Sequence, residues 1–317
     1  MPPAIQTEQL TKDFAVGFWR TRPRRALDAL TLDVAPGEVF GFLGPNGAGK
    51  TTTLKLLMQL LFPTSGRALI LGRPAGDLSV RRRIGFLPEQ PYFYDYLTAE
   101  ELLEYFASLF GCPRSERRAR TARLLDEVGI GSERRLALRK LSKGMVQRVG
   151  LAQALVNAPE VVFLDEPMSG LDPLGRRDIR SLVLRLRDRG CTVFFSSHIL
   201  SDAEALCGRV GILARGRLVA CGRLSEMLAG DVRGWELIVS GMTAETLAPF
   251  AGRLTSTARI AEGRHALEFP RTTAPEALIA DLASAGARVV SLTPVHPTLE
   301  EYFVEQVGRG GAAQRGE

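Results

Sequence analysis

Lysine is scarce in this chain: of 41 basic residues 36 are Arg, and only Lys12, Lys50, Lys55, Lys140 and Lys143 carry an ammonium. Long apolar runs are missing too. None approaches the ~18 uncharged residues that a membrane-spanning helix needs, and the opening MPPAIQTEQLTKDF lacks the apolar segment of a signal peptide. A cytoplasmic protein is therefore expected. Cysteine is sparse and unpatterned: Cys112, Cys191, Cys207 and Cys221 form no CxxC pair and no His-containing metal spacing. That argues against a disulfide framework and for unpaired thiols in a reducing compartment. With those classes set aside, 317 residues that are 45% apolar and 24% charged read as globular, with room for two domains.

Charge is unevenly spread. Residues 1–229 hold 33 Lys+Arg against 24 Asp+Glu, whereas residues 230–317 hold 8 against 11. The net charge of +6 thus belongs to the first part. The acidic second part disfavours contact with nucleic acid there, because such contact is dominated by phosphate.

Short apolar runs alternate with helical patterns from EVFGFLG to RVGILARGRLVACG, by way of VVFLDEP and CTVFFSSH. Strands that are apolar throughout need cover on both faces, which predicts an α/β fold with a mainly parallel sheet between helices. From residue 91 to 139 the pattern turns to charge-rich helices, TAEELLEYFASLF and RSERRARTARLLDEVG, a helical insertion that extends over about 91–157. Beyond residue 229 the expected order is strand 235–240, helix 244–253, a strand pair around Gly263, helix 275–285, strand 288–292 and helix 298–307. That βαββαβ order predicts a small ferredoxin-like α+β domain over 230–317.

GPNGAGKTT, residues 44–52, matches the pattern GxxxxGK[ST]; it follows the apolar strand at 39–43 and opens the helix KTTTLKLLMQLL, the context the pattern requires. Gly44, Pro45, Asn46, Gly47, Ala48 and Gly49 supply a backbone whose amides can turn onto phosphate oxygens at a helix N-terminus. Lys50 is placed for β- and γ-phosphates, Thr51 for Mg²⁺, and Thr52 completes the motif. A compact ammonium kept here, in a chain that otherwise writes arginine, strengthens the reading.

VVFLDEP, residues 161–167, is a buried strand ending in two carboxylates. With a phosphate loop upstream, Asp165 is the expected Mg²⁺ partner, and Glu166 stands where a carboxylate can polarise a water attacking the γ-phosphate. His198 ends TVFFSSH at the carboxyl end of a strand, where α/β sheets bind ligands, so a phosphate contact is expected of it. Gln90 ends IGFLPEQ in the same way. It is a candidate neutral oxygen ligand for Mg²⁺ and water, able to report nucleotide state to the insertion. No acceptor-hydroxyl site of a kinase is visible.

In order and spacing these motifs resemble those of the ATP-binding cassette ATPases. The resemblance covers residues 4 to about 229 and rests on the P-loop, the Gln90 loop, a signature segment, the strand with Glu166, the SGLD loop at 169–172 and His198. It implies ATP and Mg²⁺ as cofactors, ATP hydrolysis, and two cassettes closing so that each ATP lies between one P-loop and the other subunit's signature helix. One chain carries the whole set, so a homodimer would hold two complete sites; a heterodimer with another cassette ATPase stays open. Where the family usually has LSGGQ this chain has LSKGMVQ, keeping Ser142 and Gly144 but departing at Lys143 and Met145. Ser142 is a good N-cap, but the rest of the helix start is poor: Gly144 weakens the first turn, Met145 cannot complete a capping box and Lys143 opposes the helix dipole. The resemblance implies that Ser142, Lys143 and Gly144 meet the γ-phosphate held by the partner. Phe14, in LTKDF, occupies the place of the aromatic that stacks on adenine; an ordinary core phenylalanine is the other reading.

LPEQPYFYDYLTAEELLEYFASLFG and PTLEEYFVEQVG resemble the drug-resistance exporters, whose ATPase works with a separate ABC-2 type permease at the inner face of the cell membrane. Tyr92, Phe93, Tyr94 and Tyr96 would then lie near the permease, or else form a core cluster of the insertion. RTRPRR, residues 20–25, reads as a long exposed loop. Cassettes that act on ribosomes or nucleic acid usually pair two cassettes in one chain or carry a long coiled-coil insertion; neither is found, and no nucleic-acid partner is expected.

Overall fold

Strands with no polar face lie at the centre of the main sheet of this computed structural model, which describes residues 2–16, 22–228, 232–295 and 298–312. The chain begins with β1 (Ile5–Val16), β2 (Arg22–Val34), β3 (Val39–Leu43), α1 (Lys50–Leu57), β4 (Ser65–Ile70), β5 (Arg73–Pro74), α2 (Leu78–Arg81) and β6 (Ile84–Leu87). The insertion follows as α3 (Ala99–Leu109), α4 (Arg114–Glu127) and α5 (Lys143–Ala154). The chain then returns to the sheet with β7 (Val161–Asp165), α6 (Pro173–Asp188), β8 (Thr192–Ser197), α7 (Leu200–Leu206), β9 (Arg209–Ala214) and β10 (Arg217–Arg223), followed by α8 (Leu224–Met227).

The six-stranded sheet has the order β10-β9-β3-β8-β7-β6, parallel from β9 to β6 with β10 antiparallel at the edge. β3, β7 and β8 are buried at every residue. Four rings fill the layer between them: Phe194 lies 5.5 Å from Phe40, 5.3 Å from Phe42 and 5.9 Å from Phe163 between centroids. Buried rings of this kind resist truncation by about 3–5 kcal/mol each. Capping fixes the insertion: the Thr98 hydroxyl accepts from the Glu101 amide while the Glu101 carboxylate accepts from the Thr98 amide, so TAEE starts α3 at Ala99.

A second sheet, β2-β1-β4-β5, is antiparallel throughout. Its long β1–β2 hairpin corrects one expectation. Residues 22–25 of RTRPRR are strand, paired with residues 13–16, while Arg20 and Thr21 lie outside the described residues. The helix opened by Lys50 is also shorter than expected, ending at Leu57 before Gln59 turns to φ 54°.

The chain divides into two units, Met1–Leu224 with Glu305–Glu317, and Ser225–Val304. The boundary expected at 229–230 falls outside the described residues. The smaller unit holds β11 (Gly234–Ser240), α9 (Ala244–Leu247), β12 (Ser256–Ala261), β13 (Arg264–Pro270), α10 (Pro275–Ser284) and β14 (Arg288–Val295), and α11 (Leu299–Ala312) starts from it. Its sheet order, β12-β13-β11-β14, is antiparallel at every pair, the arrangement of a ferredoxin-like βαββαβ unit. The helix expected over 244–253 stays α-helical only to Leu247 and continues as a 3₁₀ turn, because Pro249 lacks an amide to donate. β14 outruns its expected end and passes through Pro294, which an edge strand tolerates. Leu237, Leu267, Phe269, Leu278 and Leu282 form this unit's own core.

Candidate active site

β3, β8 and β7 run parallel and in step, Leu43 beside Ser197 and Asp165 beside Ser196, so the residues just past their ends meet. After β3 the chain turns through residues 44–49 into α1. Gly44 has no room for a side chain, since a Cβ there would stand 2.5 Å from the Leu213 carbonyl oxygen. Gly49 adopts φ 112° with a would-be Cβ 2.6 Å from the Ala26 carbonyl oxygen, and no side chain caps the first amides of α1. The loop therefore presents backbone donors and the positive end of a helix to whatever lies in front of it.

Lys50 crosses that space. Its Nζ donates to the Gly44 carbonyl oxygen at 2.7 Å and lies 3.2 Å from Glu166 Oε1, both side chains buried. Glu166 Oε2 lies 2.8 Å from His198 Nδ1, and since a carboxylate only accepts, the imidazole must donate from that nitrogen. Glu166 holds its place with φ 49°, its amide donating to both the carbonyl and the hydroxyl of Ser196 at 3.2 Å. A non-glycine residue in that region stores strain that the surrounding bonds must offset. Ser196 also donates to Asp165 Oδ1 at 2.5 Å.

Burial pushes the Asp165 carboxyl above its ordinary value, with the charge of Glu166 adding to the effect and hydrogen bonds from Ser196 and Thr51 opposing it. A buried carboxylate still short of positive charge, beside a threonine hydroxyl, is a hard oxygen set that suits Mg²⁺, which takes few protein ligands and completes its shell with water and phosphate. Among the described residues no cluster of three His, Cys, Asp or Glu side chains competes for that role. The cysteines take no part: burial pushes the Cys191 thiol up to about 11, and all four are free.

A cleft of about 750 Å³ opens in front of these groups. Phe14, Pro45, Asn46, Gly47, Gly49, Lys50, Thr51, Thr52, Glu166 and His198 all line it, so Phe14 is not a core residue. Gln90 does not. It is exposed, its side-chain oxygen accepts from the Tyr92 hydroxyl at 3.0 Å, and its neighbour Glu89 faces the cleft instead. Ser142, Lys143 and Gly144 are not brought to the cleft either; they start α5 beside Gly170 and Leu171 of the SGLD loop. The Ser142 oxygen accepts from the Met145 amide at 3.2 Å, so the residue expected as N-cap does cap α5 before any phosphate is present. Tyr92, Tyr94 and Tyr96 are exposed, and only Phe93 turns inward, against Phe106. The motifs missed Arg24, Arg25 and Arg215, which also line the cleft.

A phosphate loop, a buried acid for a divalent cation and a carboxylate held between ammonium and imidazole define a P-loop nucleotide hydrolase. Comparison with known proteins narrows the class. The family model described as "ABC transporter" matches residues 27–169. An uncharacterized ABC transporter ATP-binding protein of Synechocystis is 44% identical over 97% of this chain and 85% of its own length. The bacitracin transport ATP-binding protein BcrA of Enterococcus faecalis is 32% identical over 98% of each chain. A solved dimeric ATP-binding cassette in a post-hydrolysis state bound to ADP and Pi is 29% identical, with TM-score 0.64, over 69% of this chain and 98% of its own. The chain belongs to the ATP-binding proteins of ABC transporters: it is the ATP-binding and ATP-hydrolysing subunit of such a transporter.

Proposed function

We propose that Glu166 is the general base of ATP hydrolysis in a cassette dimer that drives a separate ABC-2 type permease, in the direction of export. The observation that carries this reading is the chain Lys50–Glu166–His198, 3.2 and 2.8 Å long, at the floor of the P-loop cleft. On ATP entry Lys50 exchanges Glu166 for β- and γ-phosphate oxygens, with the amides of residues 44–52 around them and Phe14 against the adenine. The freed Glu166 oxygen accepts the proton of the attacking water, while His198 keeps the other oxygen oriented. Mg²⁺, when bound, supplies positive charge to the phosphate oxygens, and Thr51 and Asp165 are the residues that would hold it. Gln90 joins them only by giving up Tyr92. The partner's Ser142, Lys143 and Gly144 complete the site by closing on the γ-phosphate.

In this reading the permease is a separate chain and the cassette sits peripherally at the inner face; among the described residues no helix is long and apolar enough to cross a membrane. The exposed tyrosines 92, 94 and 96, joined by exposed Tyr105 and Leu109 of α3, are the apolar surface that suits such a partner. Export is supported by the terminal sequence and by the bacitracin-transport relative. Glu166→Gln should keep ATP binding, lower turnover by at least about 100-fold and elute as a dimer in ATP on gel filtration; near-normal turnover would remove Glu166 from this role. Capture from detergent-solubilised native membranes should bring down the permease.

A further inference from the structure

Four arginines lie at the β2 and β10 end of the cleft, and their pairing differs. Arg25 donates to Asp13 at 2.9 Å and Asp28 at 2.8 Å, and Arg217 donates to Asp28 at 2.6 Å. Arg24 and Arg215 line the same cleft with no side-chain hydrogen bond or ion pair among the described residues. Each is placed by a specific backbone feature. Arg24 is the cross-strand partner of Phe14 in the β1–β2 hairpin, so both side chains leave the same face. Arg215 is the first residue of the two-residue turn between β9 and β10, with φ 49° followed by Gly216 at φ 81°.

Such a turn favours Asn, Asp or Gly at its first position, because other residues are strained at positive φ. Arginine there is unfavourable for the fold and calls for another reason. The tip is anchored where a nucleotide must pass: the Gly216 amide donates to the Ala48 carbonyl of the P-loop at 2.8 Å, and the Asp28 amide to the Gly216 carbonyl at 2.8 Å. This is the side of the loop toward Ala26 and Phe14, whereas Glu166 and His198 follow β7 and β8.

We infer that Arg24 and Arg215 are nucleotide-binding residues, engaging the adenosine and α-phosphate end of ATP. The inference rests on the cleft being the ATP site. The Arg24 guanidinium stacks beside the base that Phe14 carries, and Arg215 supplies a charge-assisted contact to the α-phosphate. Since neither reaches the γ-phosphate, both bind ADP as well as ATP, and their energy is uniform binding that lowers KM without raising kcat.

The test is Arg215→Asn, which gives the turn a residue suited to it. The free protein should melt at the same temperature or higher, while Kd for ATP and Kd for ADP both rise by about fivefold. KM for ATP should rise by the same factor, and kcat at saturating ATP should stay within about twofold. Arg24→Gln should act in the same direction, the double variant should approach the product of the two effects, and Arg215→Lys should recover part of the loss. Dissociation constants within twofold of the parent, or a loss confined to kcat or to ATP over ADP, would overturn the inference. Lys50→Ala run alongside separates the two levels: if it keeps full ATP affinity, the cleft assignment itself fails.

Discussion

Two helices of the cassette begin at nucleotide motifs, and they begin in opposite ways. α1 starts from Gly49 with no side chain on its first amides, whereas α5 starts from Ser142, whose hydroxyl oxygen accepts from Met145. The first start is finished only by a phosphate; the second is finished by its own sequence. Ser142 still has its hydroxyl hydrogen to give, so it can meet a phosphate by donating without surrendering the cap. The P-loop thus depends on nucleotide as soon as it folds, and in the proposed dimer the signature helix would add its contact late and at little structural cost. A residue such as Lys143, beside Gly170, can then be spared for the phosphate charge rather than for the fold.

The contrast can be broken from either end. Lys50→Ala should have the largest effect, a loss of about 100-fold or more in ATP affinity by calorimetry, since it removes the ammonium from the helix start that depends on ligand. Micromolar affinity kept by that variant would contradict the P-loop reading. Ser142→Ala should leave ATP binding to the monomer unchanged but cost about 1 kcal/mol of stability, a fall of about 2–4 °C in melting temperature for a unit of this size. An unchanged melting temperature would mean that the cap contributes nothing. Met145→Gln should be smallest: a glutamine can reach back to the Ser142 amide and complete the capping box, raising the free protein's melting temperature by about 1–2 °C.

Much of this site was legible because its motifs are linear. Residues 44–52, Asp165, Glu166 and His198 each sit at the end of a strand whose apolar run names it, and parallel pairing alone brings them together. Gln90 lies off the cleft because the direction of a side chain in a loop depends on its neighbours, here Tyr92, and not on motif position. Arg24 and Arg215 escaped notice because cross-strand pairing and a hairpin turn, neither a motif, carry them to the cleft. The arginines at 22–25 looked like solvated loop since charge outweighs strand propensity in a sequence, yet their backbone pairs with residues 13–16. In the smaller unit the order of elements was readable from period alone, and the departures fall at Pro249 and Pro294, where backbone donors are missing.

β7 and β8 are buried on both sides along their whole length. Sheets ordinarily fix their register by alternation, since a slip of one residue turns the apolar face outward. These two strands have no such safeguard: VVFLD could slide one step against TVFFSS and hide nearly as much hydrocarbon. What forbids it is a polar peg at one end, the Ser196 hydroxyl joining Asp165 to the Glu166 amide. Ser196 is therefore the vernier of the sheet: by tying the end of β8 to Asp165 and to the Glu166 amide it sets where Glu166 stands relative to His198, and with it whether their side chains can meet at all.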